Sequence, residues 1–211
     1  MPRAMLKPYK TVLTSSETEF TEKKSRFIGR CFPVSSEEEA MEKLAGVRRQ
    51  HYDATHNCWA YSLSDGGMRF SDDGEPGGTA GMPIMDTLIR RDIKDALIVV
   101  TRYFGGILLG SGGLVRAYSK SASEALSLAG CGLMSPCRVL EFSVDYPRYG
   151  GIEGYVKANS VVESIEFLEN VRFRVTVAEA EAQGFIAAIT ERTDGRVVPA
   201  VTGEKFLAIP L

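Results

Sequence analysis

The chain has 211 residues, 44% of them hydrophobic and 25% charged, an ordinary soluble globular composition with room for one large or two small domains. Its net charge of −2 excludes a global basic field, so any nucleic-acid surface must be a local patch. No apolar run approaches the ~20 residues of a transmembrane helix, so no membrane partner is expected.

The first ten residues carry Arg3, Lys7 and Lys10 with no apolar stretch behind them, which is not a signal-peptide pattern. The four cysteines, Cys31, Cys58, Cys131 and Cys137, show no C-x-x-C pairing and are sparse for a disulfide scaffold. Free thiols in a reducing cytoplasm are the expectation.

Residues 25–32 read as a strand, with Arg26, Ile28, Arg30 and Phe32 on one side and Phe27, Gly29 and Cys31 on the other. Ser36-Glu37-Glu38-Glu39 is a capping box that opens a helix with Ala40, Met41, Leu44, Ala45 and Val47 at helical spacing. Residues 53–63 predict a strand that puts His56, Cys58 and Ala60 on one face and Asn57, Trp59 and Tyr61 on the other. Ser64-Asp65-Gly66-Gly67 is a turn signal, and residues 71–83 form a loop of turn formers leading into a short helix with Pro83 near its start.

Residues 96–103 read as a buried strand that runs into a glycine-rich turn. That turn opens a helix lasting to about Ala129, with Gly130 and Gly132 ending it. Five glycines (Gly105, Gly106, Gly110, Gly112, Gly113) lie between Arg102 and Arg116. Glycine lets backbone N–H groups face outward, and the first helical turn leaves its N–H groups unpaired at the positive end of the dipole. Arg102, Gly105, Gly106, Gly110, Ser111, Gly112, Gly113 and Arg116 are therefore a candidate phosphate-binding set. The same glycines also suit tight packing against a neighbour.

The turn is neither of two familiar phosphate loops. Gly105 and Gly110 have the outer Walker A spacing, but Ser111-Gly112 stands where Lys-Ser/Thr is required. Val115 occupies the third glycine position of a Rossmann fingerprint.

From about residue 136 the pattern becomes strand, helix, strand, strand, helix, strand, the ferredoxin-like plan, so we place a domain boundary between 1–135 and 136–211. The first segment carries +1 and the second −3, too small a difference to assign a partner.

Asp72, Asp73, Glu75 and Thr79 form a loop expected beside the glycine-rich turn. The three acids invite a metal or acid–base proposal, but aspartates are also natural turn residues, and the EF-hand spacing is absent. His56 and Cys58 on one strand face stand ~6–7 Å apart, too far for a direct dyad. The sequence offers no catalytic constellation, no metal-ligand cluster and no cofactor fingerprint. Basic and aromatic residues do interleave: Lys23, Lys24, Arg26, Arg30, Arg102, Tyr103, Phe104, Arg116, Tyr118 and Lys120 among them. A shared face would follow a phosphate backbone and offer rings for stacking.

Ser25-Arg26-Phe27, His56-x-Cys58, residues 71–83 and residues 102–118 together resemble the motif set of the IMPACT family over nearly the whole chain. The resemblance implies an α+β protein: a ribosomal protein S5 domain 2-type N-terminal domain, as in elongation factor G and ribonuclease PH, then a ferredoxin-like C-terminal domain resembling the last modules of elongation factor G. It points toward a non-enzymatic regulator of translation whose partners are RNA, the ribosome or translation factors. Eukaryotic members compete for an activator of an amino-acid-starvation kinase and carry an N-terminal RWD domain without counterpart here, so that interaction is not transferred. Two alternatives stay open: a nucleotide- or phosphometabolite-binding enzyme resembling small-molecule kinases, and a protein–protein interaction module using the acidic loop.

Overall fold

A computed structural model describes residues 8–210; the basic positions Arg3 and Lys7 lie outside them. The chain forms two compact units, one built on Tyr9–Leu133 and the other on Met134–Leu207. No helix among the described residues is long and apolar enough to cross a membrane.

The first unit runs β1 (Tyr9–Val12), β2 (Ser16–Glu22), β3 (Ser25–Pro33), α1 (Glu37–Gln50), β4 (His56–Ser62), β5 (Met68–Ser71), α2 (Gly81–Arg90), β6 (Ala96–Tyr103) and α3 (Ser111–Ala129). Five strands form an antiparallel sheet in the order β2-β3-β6-β4-β5. Helices α2 and α3 pack on one face through Ile84, Leu88, Tyr118, Ala122 and Leu126 against Phe27, Cys58 and Val100. Helix α1 covers the other through Ala40, Leu44 and Val47 against Trp59, Tyr61 and Val99. Burial on both faces is why β6 reads as a continuous apolar run, whereas a half-exposed strand would alternate. Close approach of α3 to the sheet depends on Gly29 of β3, where a Cβ would sit 2.6 Å from Ser121 O and Oγ.

Ser36 caps α1 by accepting from the Glu39 N–H at 3.2 Å, as the capping box predicts. The Glu39 carboxylate, however, takes the Ser35 N–H and hydroxyl rather than the Ser36 N–H. Gly130, at φ +71°, ends α3, while Gly132 already belongs to the next strand. Strands β1, β2 and β5 are additions to the sequence reading. Strands β2 and β5 are the sheet's edge strands with much exposed surface, so neither carries a strong apolar period.

The second unit runs β7 (Cys131–Val144), α4 (Tyr146–Asn159), β8 (Val161–Phe167), β9 (Val171–Ala178), α5 (Glu179–Arg192) and β10 (Ala200–Pro210). Among its own strands the pairing order, β10-β7-β9-β8, is that of the ferredoxin-like plan, and β1 is the fifth strand of the same sheet. Leu140, Phe142, Phe173 and Val175 meet Ile152, Val156, Phe185 and Ile189 of the two helices in one core.

Candidate functional site

The glycine-rich turn joins the end of β6 to α3, and its glycines do different jobs. Gly105 is required by packing: a Cβ there would lie 2.0 Å from the Lys24 carbonyl carbon in the β2–β3 turn. Gly106 and Gly110 hold φ +82° and +72°, a region L-residues rarely adopt. Gly113 lies close against Leu109, whereas the space at Gly112 is open except for the Arg116 guanidinium. Gly110 is the N-cap of α3, with no side-chain cap and no acid in the first turn. The N–H groups opening this helix therefore keep their affinity for an anion.

Arg102 does not project from the turn. It is 5% exposed, and its Nη1 donates to Glu75 Oε1 at 2.6 Å. Its Nη2 reaches Ser25 Oγ at 3.3 Å, and its guanidinium lies 5.5 Å from the ring centres of both Phe27 and Phe104. Glu75 also accepts from the Tyr118 hydroxyl at 2.7 Å, and His56 Nε2 stands 3.8 Å from the same carboxylate oxygen. One donor in this cluster, Arg102 Nε, is buried with no partner.

The acidic loop is engaged in holding the fold. Asp72 accepts from the Gly78, Ala80 and Gly81 N–H groups, capping α2 from a distance because the Ala80 methyl has no acceptor. Burial raises the Asp72 pKa, but the Gly78, Gly81 and Ala80 N–H groups outweigh it and hold the carboxyl below its usual range. Asp73 accepts from the Asn57 N–H and Arg48, and Thr79 Oγ1 donates to Pro76 O. Asp72, Asp73 and Glu75 thus turn to three different places, and no grouping of three metal-ligating side chains occurs among the described residues.

His56 Nδ1 is paired with the Asp73 carbonyl, which fixes the proton on Nδ1. Burial pushes the Cys58 thiol up to about 12, so at neutral pH it is a protonated core group, bonded to Asp72 O and Tyr118. Tyr118 is likewise pushed well up by burial, then by Cys58 and Glu75.

These elements enclose a cleft of about 390 Å³, within the usual range of small-ligand sites. Phe104, Leu108, Leu109, Leu114 and Pro76 supply apolar walls; Arg102, Glu75 and His56 line it beneath; Gly110 and Ser111 stand at the helix start. Leu108 is 81% exposed, and with exposed Phe104 and Ile107 it makes the turn an apolar surface segment. The structure therefore brings the glycine-rich turn and the Gly74–Pro76 segment of the acidic loop to one place.

Several of the basic residues are already paired. Arg26 is held by Glu19 in a bidentate pair, Arg48 by Asp73, and buried Arg30 by Glu17 and His51. Lys23, Lys24 and Arg116 remain exposed around the turn with no acid partner among the described residues. A larger cleft, about 620 Å³, lies on the α1 face above Arg30, but its rim mixes Glu17 and Glu42 with Lys43 and Arg49 and favours no charge. Sequence reasoning missed Ser25, whose buried Oγ takes both Arg102 Nη2 and the Gly105 N–H, although its motif was singled out. It also missed the Arg30–His51–Tyr103 chain beneath α1, which no local signal announces.

Comparison with known proteins gives two family matches: the Impact N-terminal domain over residues 23–126 and a domain of unknown function, DUF1949, over residues 142–196. The chain is 43% identical over 195 residues to the IMPACT family member YvyE of Bacillus subtilis (strain 168), covering 91% of this chain and 90% of that protein. It is 34% identical over 178 residues to the IMPACT family member YigZ of Escherichia coli (strain K12), covering 82% and 87%. A crystal structure of a hypothetical protein is similar with a TM-score of 0.60 and 30% identity, over 97% of this chain and 98% of that one.

Proposed function

Because the chain belongs to the IMPACT family, we propose that it is a translation-related regulator that binds RNA, free or on the ribosome, at the glycine-rich turn. The observation that carries this reading is the start of α3: an uncapped, acid-free helix N-terminus with Lys23, Lys24 and Arg116 exposed around it and Phe104 beside it. Arg102 is not one of the phosphate contacts, since Glu75 already neutralises it.

Fluorescence anisotropy with a labelled RNA hairpin tests it. Three cation contacts give a slope of about −2 in log K against log salt, so affinity falls roughly 15-fold from 50 to 200 mM. Arg116→Ala should flatten that slope by about 0.7. Binding that is flat with salt, or an unchanged slope in the variant, refutes the proposal.

A further inference from the structure

We infer that the cleft between the Gly74–Pro76 segment and the start of α3 receives one unstacked nucleobase of the bound RNA. This rests on the RNA-binding reading above and assigns the substrate class of the same site.

The floor of the cleft decides the chemistry. A lone buried arginine would call for an anion, but Glu75 matches Arg102 at 2.6 Å, so the floor is neutral overall. Arg102 Nε, in a residue 95% buried, has no protein partner, and Arg102, Glu75 and His56 all line the cleft. A buried donor without a protein partner is costly, so a ligand that reaches the floor of the cleft gains by supplying one. A phosphate in that position would meet the Glu75 charge. A neutral ring whose edge carries an acceptor next to a donor meets both groups, which is what a nucleobase presents.

The walls agree. Phe104, Leu108 and Leu114 are apolar and flank a space large enough for one nucleotide. Exposed rings and apolar faces are what single-stranded RNA bases stack on. The phosphate of that nucleotide then belongs at the mouth, on the Ser111, Gly112 and Gly113 N–H groups, where no acid competes.

The test uses the full chain and RNA hairpins carrying a single-nucleotide bulge (A, C, G or U in turn), the same hairpins with an abasic residue at the bulge, and a fully paired control. The expected result is that at least one bulged RNA binds about tenfold more tightly than its abasic counterpart, the worth of one base stack. Ser111→Tyr, at an exposed position on the rim, should abolish that difference while leaving Trp59 fluorescence unchanged. Equal, salt-sensitive binding of intact and abasic RNAs overturns base insertion and leaves the RNA reading standing. Discrimination that survives Ser111→Tyr moves the base out of this cleft. No binding to any of these RNAs overturns both.

Discussion

The Glu75–Arg102 pair gives the sharpest test of how this site is built. Their side chains are only 3% and 6% exposed, so neither charge is relieved by water when the other is removed. Glu75→Ala leaves a buried guanidinium uncompensated and takes the acceptor from the Tyr118 hydroxyl. Breaking such a pair from one side costs about 3–5 kcal/mol. With a urea slope near 2 kcal/mol per molar, the midpoint should fall by about 2 M. Two separate units make a single global transition an unsafe assumption. The chain's one tryptophan, Trp59, is buried in the first unit and reports on that unit. The double variant Glu75→Leu/Arg102→Met removes both charges and should recover at least about 2 kcal/mol relative to the sum of the single changes. A loss below about 1 kcal/mol for Glu75→Ala, or strict additivity in the double variant, refutes the claim that the two charges neutralise one another.

Three further outcomes follow from the geometry. Gly105→Ala should destabilise the first unit by at least about 2 kcal/mol, because the new Cβ meets the Lys24 backbone, whereas Gly112→Ala, with open space and helical backbone, should be neutral or slightly stabilising; paired thermal melts read the contrast. Asp72→Ala should cost about 1–3 kcal/mol through the lost N–H acceptor at α2. Since its folded pKa is depressed, the Asp72 contribution is complete above the usual aspartate value and is lost as pH falls through the folded one, so acid unfolding should be steeper in wild type than in Asp72→Asn. His51 is lowered by burial and then by Arg30, which donates to its Nε2. Unfolded chains bind that proton from about pH 6.5 downward while the folded one resists, so wild-type stability should fall from pH 7 to pH 5 and His51→Gln should flatten the fall, as urea midpoints at the two pH values will show.

What the sequence made legible depended on locality. Strands β4 and β6, helices α1 and α3 and the ferredoxin-like order all rest on periodicity, caps and glycine stops within a few residues of one another. The packing of Gly105 on Lys24 and the neutralisation of Arg102 by Glu75 join positions 81 and 27 residues apart, and no local pattern encodes them. That is why Arg102 read as a phosphate ligand. Its place at the end of β6, beside five glycines, is the same whether the guanidinium turns outward or inward. A buried glutamate decides the matter, and in the sequence Glu75 sits among turn residues that look solvated.

The placement of binding chemistry in the first unit gains from what the second unit does with its own charges. Arg172, Arg174 and Thr176 alternate with the core residues of β9 and therefore share the sheet face turned away from the helices. There Arg174 pairs with Glu141 and Glu163, and Glu163 also takes Lys205 and Thr176. Lys205 and Thr176, against the opposing effect of burial and with help from Arg174, bring Glu163 down to about 2. Sheets of this plan that bind RNA do so with aromatic rings on that face and unpaired cations around them. Here Phe142 and Phe173 stack with each other at 5.0 Å inside the core, Phe167 packs against Tyr149 of α4, and Arg172, Arg174 and Lys205 are held by carboxylates. Lys23, Lys24 and Arg116 have no such partners among the described residues and lie near the exposed Phe104 ring, which favours the proposed RNA contact at the glycine-rich turn over one on this sheet.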